Sequence, residues 1–112
     1  MKTIDIAEAL DLKVISGHEG LMGEVSGAYV SDLLSDVMGN AKEGQLWITL
    51  QTHQNIIAVA SLKDLSGIIL VKGALPDHDT MEKSKAEGIP VLSTALDTFT
   101  ITGMLFELLK GK

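Results

Sequence analysis

The sequence predicts an α/β fold, with a mostly parallel central sheet flanked by helices in one small domain that spans residues 1–112. Two short apolar runs, Leu46 to Leu50 and Gly67 to Val71, have the length and uninterrupted hydrophobicity of strands that are buried on both faces. Apolar residues recur at helical spacing between them, which indicates a helix that crosses from one strand to the next. Because right-handed crossovers join parallel strands, we expect Trp47–Leu50 and Ile68–Val71 to run in the same direction.

The segments before this central unit predict one helix and two strands. Thr3 to Leu10 has the spacing of a short helix, with Thr3 as a candidate N-cap. Lys13–Ser16 and Val25–Val30 have the character of short strands, and a glycine-rich turn separates them.

Two helices are indicated around the first central strand. The earlier one is predicted by the spacing of Leu33, Leu34, Val37 and Met38, and either Ser31 or Asp32 can cap it. The crossover helix has an apolar face made of Ile56, Ile57, Val59, Ala60 and Leu62.

The last third of the chain predicts two helices with a strand between them. Asp77 or Asp79 caps a polar helix that ends at Gly88 and has Met81 and Ala86 as its inward positions. Pro90 places the strand Ile89–Leu92 at a sheet edge, or else is its first residue. Asp97 or Thr98 caps a final helix whose apolar residues are Phe99, Ile101, Met104, Leu105, Leu108 and Leu109.

Composition excludes several classes of function. The chain has no cysteine, and therefore no disulfide framework, thiolate nucleophile or cysteine metal site. Fifteen acidic against nine basic residues give a formal charge of -6, which disfavours contact with nucleic acid. The segment MKTIDIAEALDL lacks the apolar region of a signal peptide, and no apolar run is long enough to span a bilayer. We therefore expect a cytoplasmic location without a membrane or nucleic-acid partner.

The best candidate site is the polar cluster that follows the first central strand, which consists of Thr49, Gln51, Thr52, His53 and Gln54. Ligands of open parallel sheets bind at the carboxyl ends of the strands. If a helix begins near Thr52 or His53, its free N–H groups can receive a phosphate or a carboxylate at that place. The alternative is that Thr52 is only an N-cap, with His53 and Gln54 solvated in the first turn.

Two further dipeptides follow neighbouring strands and are weighed in the same way. Ser31 and Asp32 either cap the next helix, which is the commoner role, or contribute to a ligand site at the shared edge. Lys72 and Gly73 either contact an anion or simply end their strand, and glycine most often does the latter.

Catalytic and metal-binding patterns are absent from the sequence. There is no phosphate-binding GxxxxGK string and no GxSxG nucleophile motif. His53 as a general base needs an adjacent carboxylate or activated nucleophile, which the sequence does not place. His18, His53 and His78 have no metal-ligand spacing, so we expect neither a metal nor another cofactor.

The segment GAYVSDLLSDVMGNAKEGQLWITLQTHQNIIAVASLKDLSGIILVKGALPD resembles the DRTGG domain family, especially its free-standing members. Some of these are related to the amino-terminal domain of HPr kinase/phosphorylase. The five letters that name the family are absent, and their region is occupied by Thr49–His53 and Val71–Gly73. The resemblance covers essentially the whole chain, and Tyr29 to Gly73 is its most specific part.

The resemblance implies a fold like that of the HPr kinase/phosphorylase amino-terminal domain, and a regulatory or interaction module in place of an enzyme. Domains of this family occur beside nucleotide-sensing CBS domains in some pyrophosphatases and beside phosphotransacetylase catalytic domains. It also implies a homodimer, with a nucleotide-like or other anionic metabolite as ligand, or a partner enzyme. The alternative is a kinase-related or hydrolytic enzyme that uses His53.

Four apolar residues are candidates for a protein interface: Met22, Tyr29, Met38 and Trp47. For Trp47, which lies inside a predicted strand, the sequence favours a place in the core.

Overall fold

The structure, a computed structural model, describes residues 1–111 and contains one five-stranded sheet. Its strands are β1 (Lys13–Ser16), β2 (Gly27–Val30), β3 (Gln45–Thr49), β4 (Gly67–Leu70) and β5 (Val91–Ser93). They lie in the order β1-β5-β4-β3-β2. The strands from β2 to β5 are parallel, and β1 pairs with β5 in the antiparallel direction. The predicted α/β fold with a mostly parallel sheet is confirmed.

Five α-helices connect the strands: α1 (Thr3–Ala9), α2 (Leu34–Asn40), α3 (Asn55–Leu62), α4 (His78–Glu87) and α5 (Thr98–Lys110). A short 3₁₀ turn, His18–Gly20, follows β1. None of the helices within residues 1–111 has the length and hydrophobicity needed to cross a membrane.

The sheet separates two apolar clusters, which explains the uninterrupted hydrophobicity of β3 and β4. On one face, Trp47 and Ile68 pack with the buried residues of α2 and α3. On the other face, Ile48 and Ile69 pack with α1 and α5. Successive residues of a strand point to opposite faces, so a strand covered on both sides needs apolar residues at every position. Trp47 is completely buried, as expected for a core residue.

The crossover helix is confirmed, with one of its apolar residues assigned to the wrong face. Helix α3 joins the parallel strands β3 and β4, and Ile56, Ile57, Val59 and Ala60 are buried against the sheet. Leu62 is 71% exposed. At about 100° per residue, its position falls on the side of the helix away from the other four.

Both expected helix caps in the first half of the chain are wrong. Lys2, and not Thr3, is the N-cap of α1, and the Oδ2 of Asp5 accepts a hydrogen bond from the Lys2 N–H at 2.8 Å. Thr3 is instead buried, and its hydroxyl donates to the carbonyl of Ser66 at 3.2 Å. Leu33 is the N-cap of α2, because Ser31 and Asp32 use their side chains in turns and in contacts with β3.

The inward face of α4 is polar, contrary to the expectation for Met81 and Ala86. Asp77 is the N-cap and Gly88 the C-cap, as predicted, but the buried residues are Thr80 and Ser84. The hydroxyl of Ser84 accepts from Ser16 at 2.8 Å and donates to the carbonyl of Ile89 at 2.6 Å. These hydrogen bonds compensate the burial of the Ser16 and Ser84 hydroxyl groups, so this part of α4 can face the sheet without an apolar residue.

The strand after Pro90 is not at an edge of the sheet, because β5 lies between β4 and β1. Pro90 precedes the strand, whose first residue is Val91. Its carbonyl accepts a hydrogen bond from the Ile68 N–H at 2.9 Å, and its missing N–H leaves no gap in the ladder because Pro90 lies before the first residue of the strand.

Candidate functional site

The loops that follow β2, β3, β4 and β5 emerge at one edge of the sheet, which we call the carboxyl edge. They are residues 31–33, 50–54, 71–77 and 94–97. Since the four strands are parallel, their carboxyl ends meet on the same side, and all nine residues of the predicted site lie at or directly beside this edge.

Asp32, Thr49 and Gln51 form a hydrogen-bonded network between the ends of β2 and β3. The Oδ1 of Asp32 accepts hydrogen bonds from the Thr49 hydroxyl and from the Leu50 N–H, both at 2.8 Å. The side-chain amide of Gln51 donates to the carbonyl of Asp32 at 2.9 Å, and its N–H donates to the Thr49 hydroxyl at 3.1 Å. The network fixes the relative position of two loops and leaves the Oδ2 of Asp32 without a hydrogen bond to residues 1–111.

Ser31 is hydrogen-bonded to β3 and to the turn after β2, and it lies beside a second polar cluster, formed by Tyr29 and Asp36. Its carbonyl accepts from the indole N–H of Trp47 at 2.8 Å, and its hydroxyl accepts from the Leu33 N–H at 3.1 Å. Nearby, the Tyr29 hydroxyl donates to both carboxylate oxygens of Asp36 at 2.9 Å. Hydrogen bonds from Ser31 and Tyr29 lower the pKa of Asp36, while the hydrogen bond to Asp36 raises the pKa of Tyr29.

Sequence reasoning missed the pairing of Tyr29 with Asp36. The two residues lie on different elements, β2 and α2, and only the turn between these elements brings them together. Helical periodicity does not relate them, because the end of a strand and a turn lie between the two residues.

The segment Thr52–Gln54 was expected either to open a helix with free N–H groups or to cap it with Thr52, and it does neither. Helix α3 begins at Asn55 with Gln54 as its N-cap, so Thr52 neither starts nor caps the helix. The carbonyl of Thr52 instead accepts from the Asp77 N–H at 3.1 Å and from the Thr80 hydroxyl at 2.7 Å. The exposed His53 accepts a hydrogen bond on Nδ1 from the Asn55 N–H at 3.3 Å. One amide of the first turn is therefore already occupied by a side chain.

Lys72 and Gly73 lie in the turn that follows β4, and their backbone binds the loop after β5. Both have positive φ, 58° and 72°. Their N–H groups donate to the carbonyls of Leu96 and Thr94, each at 2.8 Å. The Lys72 side chain is exposed and lies near Asp97, whose pKa is lowered first by hydrogen bonds from Thr100 and then by this ammonium group. The segment thus has the strand-ending role and also presents a cation.

The carboxyl edge is an open rim whose charge is predominantly acidic. Lys72 and His53 share it with Asp32, Asp77 and Asp97. The four clefts described for residues 1–111 are lined by other residues and by none of the nine predicted here. The same part of the chain contains no group of three or more His, Asp or Glu side chains placed to hold a metal ion.

A cleft of about 360 Å³ lies between β2 and α5, and we call it the β2–α5 cleft. Its walls are formed by Gly27, Ala28, Val30, Thr102, Phe106, Leu109 and Lys110. Sequence reasoning did not find it, because its two sides come from segments about seventy residues apart and periodicity describes only one segment at a time.

The architecture defines the chain as a small α/β domain that collects polar loops at the carboxyl edge of a four-strand parallel array. The model of the DRTGG domain family matches residues 5–108, and the chain belongs to that family. The resemblance noted in the sequence is confirmed.

Two proteins illustrate where similar domains occur. The phosphate acetyltransferase of Deinococcus radiodurans is 26% identical over 117 residues, a match that covers 96% of this chain and 17% of that enzyme. A crystal structure of the CBS and DRTGG domains of the regulatory region of Clostridium perfringens pyrophosphatase, complexed with its activator diadenosine tetraphosphate, superposes with a TM-score of 0.70. The sequence identity is 20%, and the match covers 90% of this chain and 44% of that one. This chain therefore spans only a fraction of both relatives.

Proposed function

We propose that this chain is a non-catalytic regulatory domain that binds a nucleotide-like or other anionic metabolite at the carboxyl edge. The observation that carries the proposal is the DRTGG match over residues 5–108, together with the fold shared with a regulatory region that is complexed with a dinucleotide activator. The proposal treats residues 1–112 as a single domain located in the cytoplasm.

The geometry of the carboxyl edge supports three roles for the nine site residues: fixing the loops, contacting the ligand and shaping the backbone. The buried Thr49 and the carbonyl of Thr52 hold the loops in place. The side chains of Gln51, His53 and Gln54 and the ammonium of Lys72 supply donors and acceptors to the ligand. The Oδ2 of Asp32, which has no hydrogen-bond partner among residues 1–111, is a further acceptor. The remaining residues, Ser31 and Gly73, shape the backbone at the two ends of this rim.

The charge of the edge favours one kind of anionic ligand over another. Asp97 partly neutralises Lys72, and Asp32 and Asp77 repel a bare phosphate. A nucleotide carries ribose hydroxyls and base amino groups that donate hydrogen bonds to carboxylates, so a mixed acidic and basic rim suits it better than it suits inorganic phosphate.

Association is part of the same proposal. We expect a homodimer, and we expect the domain to act on a partner enzyme, either within a longer chain or as a separate protein. Of the predicted interface residues, Met22 is 63% and Met38 is 39% exposed, and both are available for such contacts.

Thermal stability in the presence of nucleotides tests the proposal. Diadenosine tetraphosphate, ATP, AMP and inorganic phosphate are added separately to the full chain, and a ligand at a hundred times its Kd is expected to stabilise it by about 2.7 kcal/mol. Lys72→Ala should abolish the shift. Lys42→Ala, which removes an exposed cation before β3 at the opposite end of that strand, should leave it intact.

The outcome separates the regulatory function from the enzymatic alternative. Stabilisation without turnover of the nucleotide supports the regulatory domain, whereas turnover that His53→Ala removes supports an enzyme. If no nucleotide stabilises the chain, or if Lys42→Ala and Lys72→Ala behave alike, the proposed ligand site is rejected.

A further inference from the structure

Strand β2 is an edge strand of the sheet and carries neither a charged residue nor a proline that would hinder pairing with another strand. The Ser31 N–H donates to the carbonyl of Ile48 on β3 at 3.3 Å. Because the direction of backbone groups alternates along a strand, the N–H and C=O groups of Ala28 and Val30 point away from β3. Edge strands are usually blocked by charged residues or proline, but β2 has the sequence GAYV.

Helix α5 adds an exposed apolar surface next to this edge. Phe99 and Phe106 are 89% and 64% exposed. They are seven residues apart and therefore lie on one side of the helix, within about 20° of each other. Thr102 lines the adjoining β2–α5 cleft, and its buried hydroxyl has no hydrogen-bond partner within residues 1–111.

We propose that two copies of this chain pair through β2 and α5, with the two β2 strands antiparallel across a two-fold axis at Tyr29. In this register Ala28 of each copy lies opposite Val30 of the other, and each such pair exchanges both of its backbone hydrogen bonds. The two sheets become one continuous sheet, and the α5 helices meet over the β2–α5 clefts. The pairing rests on the homodimer proposed above, to which it gives a surface, and it does not depend on the ligand.

Charge favours a second copy as the occupant. Two chains that each carry a formal charge of -6 repel, so pairing is favoured on a face that lacks acidic residues. Strand β2 and α5 from Thr98 to Phe106 contain none. Of the two acids that flank this part of α5, Glu107 is paired with Lys110 at 3.2 Å and Asp97 accepts a hydrogen bond from the Thr100 N–H at 2.8 Å. In the proposed register Asp32 lies opposite Ser26 of the partner copy, and not opposite another acid.

The exposed area is also adequate. A phenylalanine side chain contributes about 200 Å², so Phe99 and Phe106 together expose about 300 Å² per copy. Pairing buries this area on each of the two copies. The strand edges and the two β2–α5 clefts add to it and bring the total towards the roughly 1,200 Å² of a small specific interface.

Light scattering after size-exclusion chromatography of the full chain at about 100 µM tests the pairing. The expected mass is twice 11.9 kDa. Val30→Lys, which adds a charge to the edge, and Phe106→Glu should each weaken self-association at least about tenfold without loss of helical circular dichroism. Leu62→Glu, at a similarly exposed leucine on α3, should remain dimeric.

A single cysteine tests the register. The chain has no cysteine of its own, and Tyr29→Cys places two sulfur atoms on the proposed axis, where mild oxidation should produce a covalent dimer. A cysteine at the exposed Leu62 is the control and should not cross-link at the same rate.

A monomeric chain at 100 µM overturns the pairing. A dimer that survives both Val30→Lys and Phe106→Glu also overturns it. A monomer that is still stabilised by nucleotide rejects the pairing alone, whereas a dimer that no nucleotide stabilises rejects the ligand site alone.

Discussion

The substitution Thr49→Val tests whether the Asp32–Thr49 contact holds the carboxyl edge together. Thr49 is 1% exposed, and its hydroxyl both donates to Asp32 at 2.8 Å and accepts from the Gln51 N–H at 3.1 Å. Valine has nearly the same shape as threonine but no hydroxyl, so the change removes two hydrogen bonds with little change of volume in β3.

The expected cost follows from these contacts. A hydrogen bond to a charged group contributes about 1.5–3 kcal/mol, and the exposure of Asp32 to water reduces it, so we expect a loss of about 1–2 kcal/mol. For a domain of this size the melting temperature should fall by about 4–10 °C.

Urea denaturation followed by Trp47 fluorescence measures this loss directly. Thr52→Val is the matched control, because the contacts of Thr52 to α4 are made by its carbonyl, and it should change stability by less than about 0.5 kcal/mol. In a double-mutant cycle, Asp32→Ala should cost less in the Thr49→Val background than in the wild type. Equal stability of Thr49→Val and wild type, or strict additivity in the cycle, would refute the network.

Three further predictions concern the rest of the fold. Gly17→Ala should destabilise the chain by more than about 2 kcal/mol, because φ is +74° and a Cβ would overlap the Ile89 carbonyl; Gly39→Ala, where a Cβ meets open space, should be neutral or stabilising in the same urea titration. Ser84→Ala should cost about 1–3 kcal/mol in that assay by leaving the buried Ser16 hydroxyl and Ile89 carbonyl unpaired, whereas a cost equal to that of the exposed Ser61→Ala would contradict it. The lowered pKa of Asp36 contributes stability that is present above the ordinary carboxyl pKa near 4 and is lost as the pH falls through the lowered value, and the raised pKa of Tyr29 contributes stability that is lost as the pH rises through a value above 10.0. Thermal melts of Asp36→Asn from pH 2 to pH 11 should show a flatter dependence at both extremes, and an unchanged profile would show that the Tyr29–Asp36 pair does not form.

The central part of the fold was predictable because strands that are buried on both faces have apolar residues at nearly every position. The sequences of β3 and β4 lie in short apolar runs that predict buried strands. Of the five apolar residues predicted to form the inner face of the crossover helix, four are buried. The cap of α5 was also readable, since Asp97 accepts from the Thr100 N–H at 2.8 Å.

Other features depend on contacts between segments that sequence periodicity does not relate. Ser84 is inward on α4 only because Ser16 of β1 lies opposite it. Asp32 has the residue type and position of a helix cap, but its carboxylate accepts hydrogen bonds from Thr49 and Leu50 at the end of β3 instead of from the first turn of α2. The internal position of β5 follows from the addition of β1 outside it, which the residues around Pro90 do not encode.

The most direct test of the regulatory function is an NMR titration of the ¹⁵N-labelled chain with diadenosine tetraphosphate. A ligand at the carboxyl edge should perturb the amide signals of residues 50–54 and 72–73 in a saturable way, and should leave the amino ends of the same strands unchanged. Saturable shifts confined to other surfaces, or no shifts at millimolar ligand, would contradict the account.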